Sequence, residues 1–224
     1  MCDFDGTITL EDTAWALLQA FGPAGWQHWS DEYDAGRITD QESIIRGFES
    51  FTVPVPDVAA WALDFVQIRP GAREFFAWCH AIGLPVTIAS NGLDCYILPI
   101  LEAHGLAVDD VISARAVQQA AGIGVSYDHV WDAVYHDERD LKRLALRRMQ
   151  ATGRHVVYIG DGDPDFLAAS VADRVFARRR LLARCREAGV SYTPFEDFRE
   201  IQAALALLVP AGDAAQLPMP DVRQ

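Results

Sequence analysis

Val156-Val157-Tyr158-Ile159-Gly160-Asp161-Gly162-Asp163-Pro164-Asp165 is the stretch that decides the fold. Its apolar start reads as a buried strand over His155–Ile159, which ends abruptly in glycine and acid. Pro164 suits the first turn of a helix, expected to run to about Ala172. Downstream, Arg174–Ala177 and Leu181–Ala188 repeat the strand–helix pair. Upstream, Pro85–Ser90 reads as a strand, Leu93–His104 as a helix and Val108–Ser113 as a further strand. A hairpin-like excursion through Gly122 and Gly124 follows, and then a helix over Asp137–Gln150 with Leu141, Leu144, Ala145 and Met149 along one face. Strands alternating with helices of this length imply βαβ units and a parallel sheet covered on both faces. Ligands of such sheets bind beyond the carboxyl ends of the strands.

Residues 11–69 break that rhythm. They carry helical patterns at Thr13–Phe21, Gly25–Tyr33, Asp40–Phe51 and Asp57–Val66, with Asp40 as a candidate N-cap and Pro54 and Pro56 separating the last two. The organisation expected is an α/β core over residues 1–10 and 70–209, with an all-helical insertion at 11–69 after the first strand. Residues 210–224, with three prolines and no apolar periodicity, are expected to form a flexible tail. Only Met1 and Cys2 precede Asp3, fewer than an ordinary strand needs, so a start further upstream is expected.

Composition narrows the partners. Half of the 224 residues are apolar and 23% are charged, as in ordinary globular proteins. A net charge of −13 argues against nucleic acid and anionic membrane surfaces, both of which attract basic patches. Cys2, Cys79, Cys95 and Cys185 are scattered without zinc spacing, so reduced thiols in a cytoplasmic protein are expected. The apolar run Ala203–Val209 is too short to span a bilayer, and no signal peptide is read.

Four separated motifs carry chemistry. In Asp3-Phe4-Asp5-Gly6-Thr7, acids at i and i+2 direct two carboxylates into one loop, and Gly6 and Thr7 offer a tight exit with backbone N–H groups for an anion. Ser90-Asn91-Gly92, at a strand end, supplies a hydroxyl and amides suited to phosphate oxygens. Lys142 is the only lysine among 19 lysines and arginines; its compact ammonium can hold carboxylates and a phosphate oxygen together. Asp161 and Asp165 close the set, with Asp163 left as a solvated or capping acid. Two carboxylates about 4 Å apart repel by roughly 4 kcal/mol at an effective dielectric of 20, so a shared site calls for a cation. Oxygen ligands favour Mg²⁺, and the spacing is not that of a calcium-binding EF-hand.

The order Asp-x-Asp-Gly-Thr, Ser-Asn-Gly, Lys, Gly-Asp-x-x-x-Asp resembles the haloacid dehalogenase (HAD) superfamily and its phosphoserine-phosphatase-like branch. The resemblance implies a Rossmann-like core with a helical cap, acting on a small phosphorylated metabolite. It implies that Asp3 is the nucleophile that becomes phosphorylated, and that Asp5 protonates the leaving oxygen and then activates water. Ser90 and Lys142 would hold the phosphoryl group. Asp3, Asp161 and the Asp5 carbonyl would hold Mg²⁺, with Asp165 supporting that shell. Dehalogenating relatives lack an acid at the position of Asp5, which turns the expectation toward ester hydrolysis.

Within that branch, Cys2–Thr9, Arg46-Gly47-Phe48, Ser90–Asp94, Phe176-Ala177-Arg178 and Cys185-Arg186-Glu187 are similar to the methionine-salvage phosphatases that act on 2-hydroxy-3-keto-5-methylthiopentenyl 1-phosphate. Trp131–His136 departs from that pattern, where a cysteine-rich stretch is expected. Asp12 and Arg46 are candidate substrate contacts. Most of Phe21, Trp26, Trp29, Tyr33, Phe48, Phe51, Trp61 and Phe65 are expected to form the insertion's own core, with one or two lining an apolar pocket. A phosphoserine or other small-ester phosphatase, a phosphomutase and a phospho-accepting signalling module are the alternatives.

Overall fold

Thr87–Leu93 (β1) is buried along its whole length, as a strand covered on both faces must be. The structure, a computed structural model, describes residues 1–130 and 140–208. β1 pairs in parallel with β2 (Asp110–Gln119), whose far half turns back antiparallel onto β3 (Gly122–Ser126). A second parallel group contains β4 (Val157–Gly160), β5 (Arg174–Ala177) and β6 (Thr193–Pro194).

Residues 1–3 join the two groups. Cys2 forms parallel bridges to Ile88 on one side and Ile159 on the other. Cys2 N–H donates to Thr87 at 2.8 Å, Asp3 N–H to Ile159 at 2.9 Å and Ala89 N–H back to Cys2 at 2.9 Å. The sheet therefore runs β2, β1, residues 1–3, β4, β5, β6, all parallel. Its carboxyl edge collects Asp3, the end of β1, Asp161 and Arg178.

Between Asp3 and β1 lie α1 (Thr13–Phe21), α2 (Gln27–Asp34), α3 (Asp40–Glu49), α4 (Val55–Phe65) and α5 (Ala72–Ala81). The chain leaves and re-enters the sheet layer through an antiparallel bridge of Thr9 with Ile68, with Leu10 and Arg69 amides bonded across it at 2.8 Å. Leu17 of α1, Phe48 of α3, Phe51 just after it, and Val58 and Ala62 of α4 belong to the same buried cluster as Cys2, Ile88 and Ile97. This cluster fixes the helices over the sheet's carboxyl edge. α6 (Asp94–Ala103) and α7 (Leu141–Ala151) follow β1 and β3; α8 (Phe166–Ala169), α9 (Arg179–Ala188) and α10 (Phe198–Ala206) complete the chain.

The structure departs from the sequence reading in places. Thr39, not Asp40, caps α3: its hydroxyl accepts from Glu42 N–H while Glu42 reaches back to Thr39 N–H. After Gly162 the expected long helix is a 3₁₀ turn over Asp163–Asp165 and the four residues of α8. The Ser170 hydroxyl binds the Leu167 carbonyl there, and Asp173 must return to Val156 to start β5. α5 and α10, absent from the sequence reading, bury Ala72, Phe75, Phe76 and Cys79 and Phe198, Ile201 and Leu205 at helical spacing, and pack through Phe75 and Phe76 against Phe198, at ring separations of 5.4 and 5.6 Å. The four cysteines are unpaired. Among the described residues no helix is long and apolar enough to cross a membrane. The expected tail at 210–224 and the Trp131–His136 departure lie outside the described residues.

Candidate active site

The Lys142 ammonium lies 2.7 Å from Asp3 Oδ1 and 2.6 Å from Asp165 Oδ1, all three side chains being buried. α7 delivers it: Asp140 caps the helix by accepting from Arg143 N–H, and Lys142 follows in the first turn. The Thr7 hydroxyl stands between Asp3 Oδ2 (3.2 Å) and Asp161 Oδ1 (3.0 Å), and its single hydrogen serves one at a time. Asp3, Asp161 and Asp165 each offer an oxygen within 4.8 Å of the others.

Asp165 organises this cluster. Its Oδ2 accepts from the amides of Asp161 and Gly162, both at 2.8 Å, and its Oδ1 accepts from Lys142 and from the Tyr158 hydroxyl. With four donors its lone pairs are filled, whereas Asp3 and Asp161 keep oxygen capacity facing the cluster. Two glycines make the approach possible. Gly6 has φ of +74°, and a Cβ there would lie 2.7 Å from Asp161 Oδ2. A Cβ on Gly92 would lie 1.9 Å from the Tyr96 oxygen and 2.7 Å from Asp5 Oδ2.

Asp5 sits apart from the amine. Its Oδ2 accepts from the Tyr96 hydroxyl at 2.8 Å and from Ser90 Oγ at 3.3 Å, while its buried Oδ1 has no partner. Burial, reinforced by the charge of Asp12, pushes its carboxyl up to about 7. Burial and then Asp165 raise Asp161 to about 6 and hold Asp3 well above the usual range, with Lys142 pulling both back. Burial also works against the Lys142 charge, but Asp165 and Asp3 outweigh it and keep the ammonium protonated. Three acids crowd around one buried ammonium, with the Arg179 guanidinium 3.6 Å from Asp161, so acidic groups outnumber cations in an all-oxygen site. That donor set fits a hard divalent cation such as Mg²⁺.

Other expected residues fall differently. The Gly6 and Thr7 amides are not free for an anion: Gly6 N–H donates to Thr9 Oγ1 and Glu11 O, and Thr7 N–H to Phe4 O. The loop closes on itself there, and the amides of Phe4 and Asp5 are the ones left without an acceptor among the described residues. Gly92 N–H donates to Ser90 Oγ at 3.0 Å, orienting that hydroxyl toward Asp5. Asn91 donates from its side-chain amide to Asp40 on α3, and its backbone carbonyl accepts from the Tyr127 hydroxyl. Asp12 caps α1 through Trp15 N–H. Arg46 is exposed on α3 with its guanidinium over Trp29, and is not among the side chains that line the cavity.

That cavity, of about 620 Å³, lies between the helices and the β4 loop. Trp15, Leu18, Trp26, Trp29 and Ile44 form one wall; Asp161 and Arg179 close the other. Sequence reasoning missed Tyr96, Tyr158 and Arg69. Arg69 is buried and donates to the carbonyls of Gly6, Thr7 and Thr9 at 2.7–2.9 Å, holding the loop after Asp5.

The family model described as haloacid dehalogenase-like hydrolase matches residues 1–170. The chain belongs to that family. This hydrolase is 33% identical over 211 residues to the 2-hydroxy-3-keto-5-methylthiopentenyl-1-phosphate phosphatase of Geobacillus kaustophilus (strain HTA426), covering 91% of this chain and 93% of the relative. It is 29% identical to the phosphatase of the same description from Bacillus cereus (strain B4264), covering 93% and 95%. Its fold matches a solved structure described as a phospho-aspartyl intermediate analogue of phosphoserine phosphatase. The TM-score is 0.69 at 20% identity, over 91% of this chain and 96% of that one. The hydrolase thus carries its buried acids and single lysine on a HAD fold.

Proposed function

We propose that this hydrolase cleaves a small phosphate monoester through a phosphorylated Asp3. The observation that carries the reading is the meeting of Asp3, Lys142 and Asp161 at one buried point, with Asp5 two residues from the nucleophile and raised to about 7. Asp3 attacks phosphorus and the P–O ester bond breaks, while Asp5 gives its proton to the departing oxygen. Water, deprotonated by Asp5, then attacks the acyl-phosphate, releasing phosphate and regenerating Asp3. An acid poised near neutrality is suited to both halves. Lys142 has one hydrogen beyond those on Asp3 and Asp165 for a phosphoryl oxygen, and the Phe4 and Asp5 amides and Ser90 serve the others. Asp3, Asp161 and the Asp5 carbonyl would hold Mg²⁺, with Asp165 behind them. Bound there, the ion supplies neutralisation of the phosphoryl charge.

The helices over residues 11–69 act as a cap that keeps bulk water from the acyl-phosphate. The aromatic wall suits an ester with an apolar tail. The likeness to the methylthiopentenyl-1-phosphate phosphatases makes 2-hydroxy-3-keto-5-methylthiopentenyl 1-phosphate the first substrate to test, with Asp12 among its contacts. Continuous phosphate release from p-nitrophenyl phosphate with Mg²⁺, lost in Asp3→Asn, is the expected result. A single stoichiometric phosphorylation without turnover would instead mark a phospho-accepting module.

A further inference from the structure

Three consecutive arginines follow β5, and their partners separate them. Arg178 donates to the Gly6 carbonyl at 3.0 Å and pairs with Glu196. Arg180 donates to Asp163 at 3.1 Å. Arg179 and Arg180 both line the cavity, but it is Arg179 whose guanidinium reaches Asp161, standing 3.6 Å from its Oδ2, too far for a tight hydrogen bond. Arg179 is also the only non-glycine residue with positive φ, +44°, among the described residues. Side chains other than glycine, asparagine and aspartate rarely adopt that conformation, and where they do the surroundings commonly enforce it for a reason other than stability. From there Arg179 and Arg180 diverge to different acids, Asp161 and Asp163.

The cavity is lined by acids, among them Asp12, Asp34, Asp40 and Asp161, and by a cluster of indoles, Trp15, Trp26 and Trp29. Asp3 and Asp161 offer oxygens within 4.8 Å of each other and Arg179 stands 3.6 Å beyond Asp161, so a phosphate ester seated at Asp3 has this guanidinium within reach of its near end. A guanidinium is a planar fork of donors that matches a planar pair of oxygens. Its loose pairing with Asp161 leaves that fork available once a cation occupies the acid.

We propose that Arg179 is a specificity-determining residue that grips a planar pair of oxygens beside the phosphate ester, a carboxylate or a vicinal keto–hydroxy group. This rests on the phosphatase reading and adds the class of ester selected. The hydrolase therefore prefers esters carrying that pair over matched esters without it.

The test uses the full chain and two matched pairs. O-phosphoserine is compared with O-phosphoethanolamine for the carboxylate, and dihydroxyacetone phosphate with glycerol 3-phosphate for the keto–hydroxy group. p-Nitrophenyl phosphate reports the chemistry alone. The wild type is expected to favour the oxygen-bearing member of at least one pair by about tenfold or more in kcat/KM, a bidentate contact being worth at least one such factor. The pair that shows it identifies the oxygen source. Arg179→Gly, whose backbone accepts the positive φ, is expected to erase that preference, leave p-nitrophenyl phosphate turnover within about threefold and melt no lower than wild type. Without substrate, the same variant is expected to bind Mg²⁺ more tightly, because a competing cation has left Asp161. No preference in either pair, a preference that survives Arg179→Gly, an equal fall on every ester, weaker Mg²⁺ binding or a lower Tm each overturns the proposal. Absence of turnover on all five esters overturns the phosphatase reading instead.

Discussion

Lys142 holds its ammonium 2.7 Å from the Asp3 carboxylate across 139 residues of sequence. No local propensity produces that pair; it exists because residues 1–3 lie between β1 and β4 and α7 ends its first turn beneath them. Both side chains are about 95% buried, so neither charge is tolerable without the other.

Removing one partner of a buried ion pair leaves an uncompensated charge and costs about 3–5 kcal/mol. Lys142→Met should therefore abolish activity and also lower Tm in metal-free buffer by on the order of 10 °C for a chain of this size. Thermal unfolding followed by circular dichroism checks it; a shift under about 2 °C would mean the amine is not paired as drawn.

A divalent cation relieves the repulsion among the clustered Asp3, Asp161 and Asp165 carboxylates. Mg²⁺ at about one hundred times its dissociation constant should add roughly 2.7 kcal/mol of stability. Asp161→Asn should lose most of that increment while raising the stability of the metal-free protein. An equal Mg²⁺ response in wild type and variant contradicts this site.

Asp5, Asp40 and Asp161 have carboxyls raised to about 7, 6 and 6, with burial the leading cause in each. A native state that retains protons which the unfolded chain releases is favoured at low pH. Metal-free stability should accordingly be present near pH 4 and fall as pH rises to about 7, the reverse of the behaviour of a carboxylate stabilised by ion pairing. Denaturant melts at pH 5 and 7.5 measure the slope. Saturating Mg²⁺ should flatten it, and Asp5→Asn should remove part of it.

Gly92→Ala would press a methyl group against the Tyr96 hydroxyl and Asp5. Activity should fall by about a hundredfold, with a reduced Tm. Adding Tyr96→Phe removes the closest atom in the clash, so the double variant should melt above Gly92→Ala alone. Additive losses would place the strain elsewhere.

The parts of the site legible in the sequence are those written as short motifs at strand ends. Asp3, Ser90, Lys142, Asp161 and Asp165 could be found because strand-then-acid is local, and a solitary lysine stands out against arginine. Tyr96, Tyr158 and Arg69 could not, because a buried aromatic or a linker arginine looks the same whether or not its polar tip reaches an active carboxylate. The amides were misassigned between neighbours: Gly6 and Thr7 suggested an anion grip, but the loop they close uses their own N–H groups and leaves those of Phe4 and Asp5. Arg46 failed for a similar reason, since helical position does not say whether a long side chain faces the cavity or lies along Trp29. The helices α5 and α10 do carry the helical period, burying Ala72, Phe75, Phe76 and Cys79 in one and Phe198, Ile201 and Leu205 in the other, and were legible signals left unread.

The most direct measurement is mass analysis of the hydrolase stopped with acid during turnover of a phosphate ester. One phosphoryl group on Asp3, transient in wild type and missing in Asp3→Asn, is the result expected here. A phosphoryl group on Ser90 or any other side chain, or sustained turnover by Asp3→Asn with no phosphorylated protein, would contradict it.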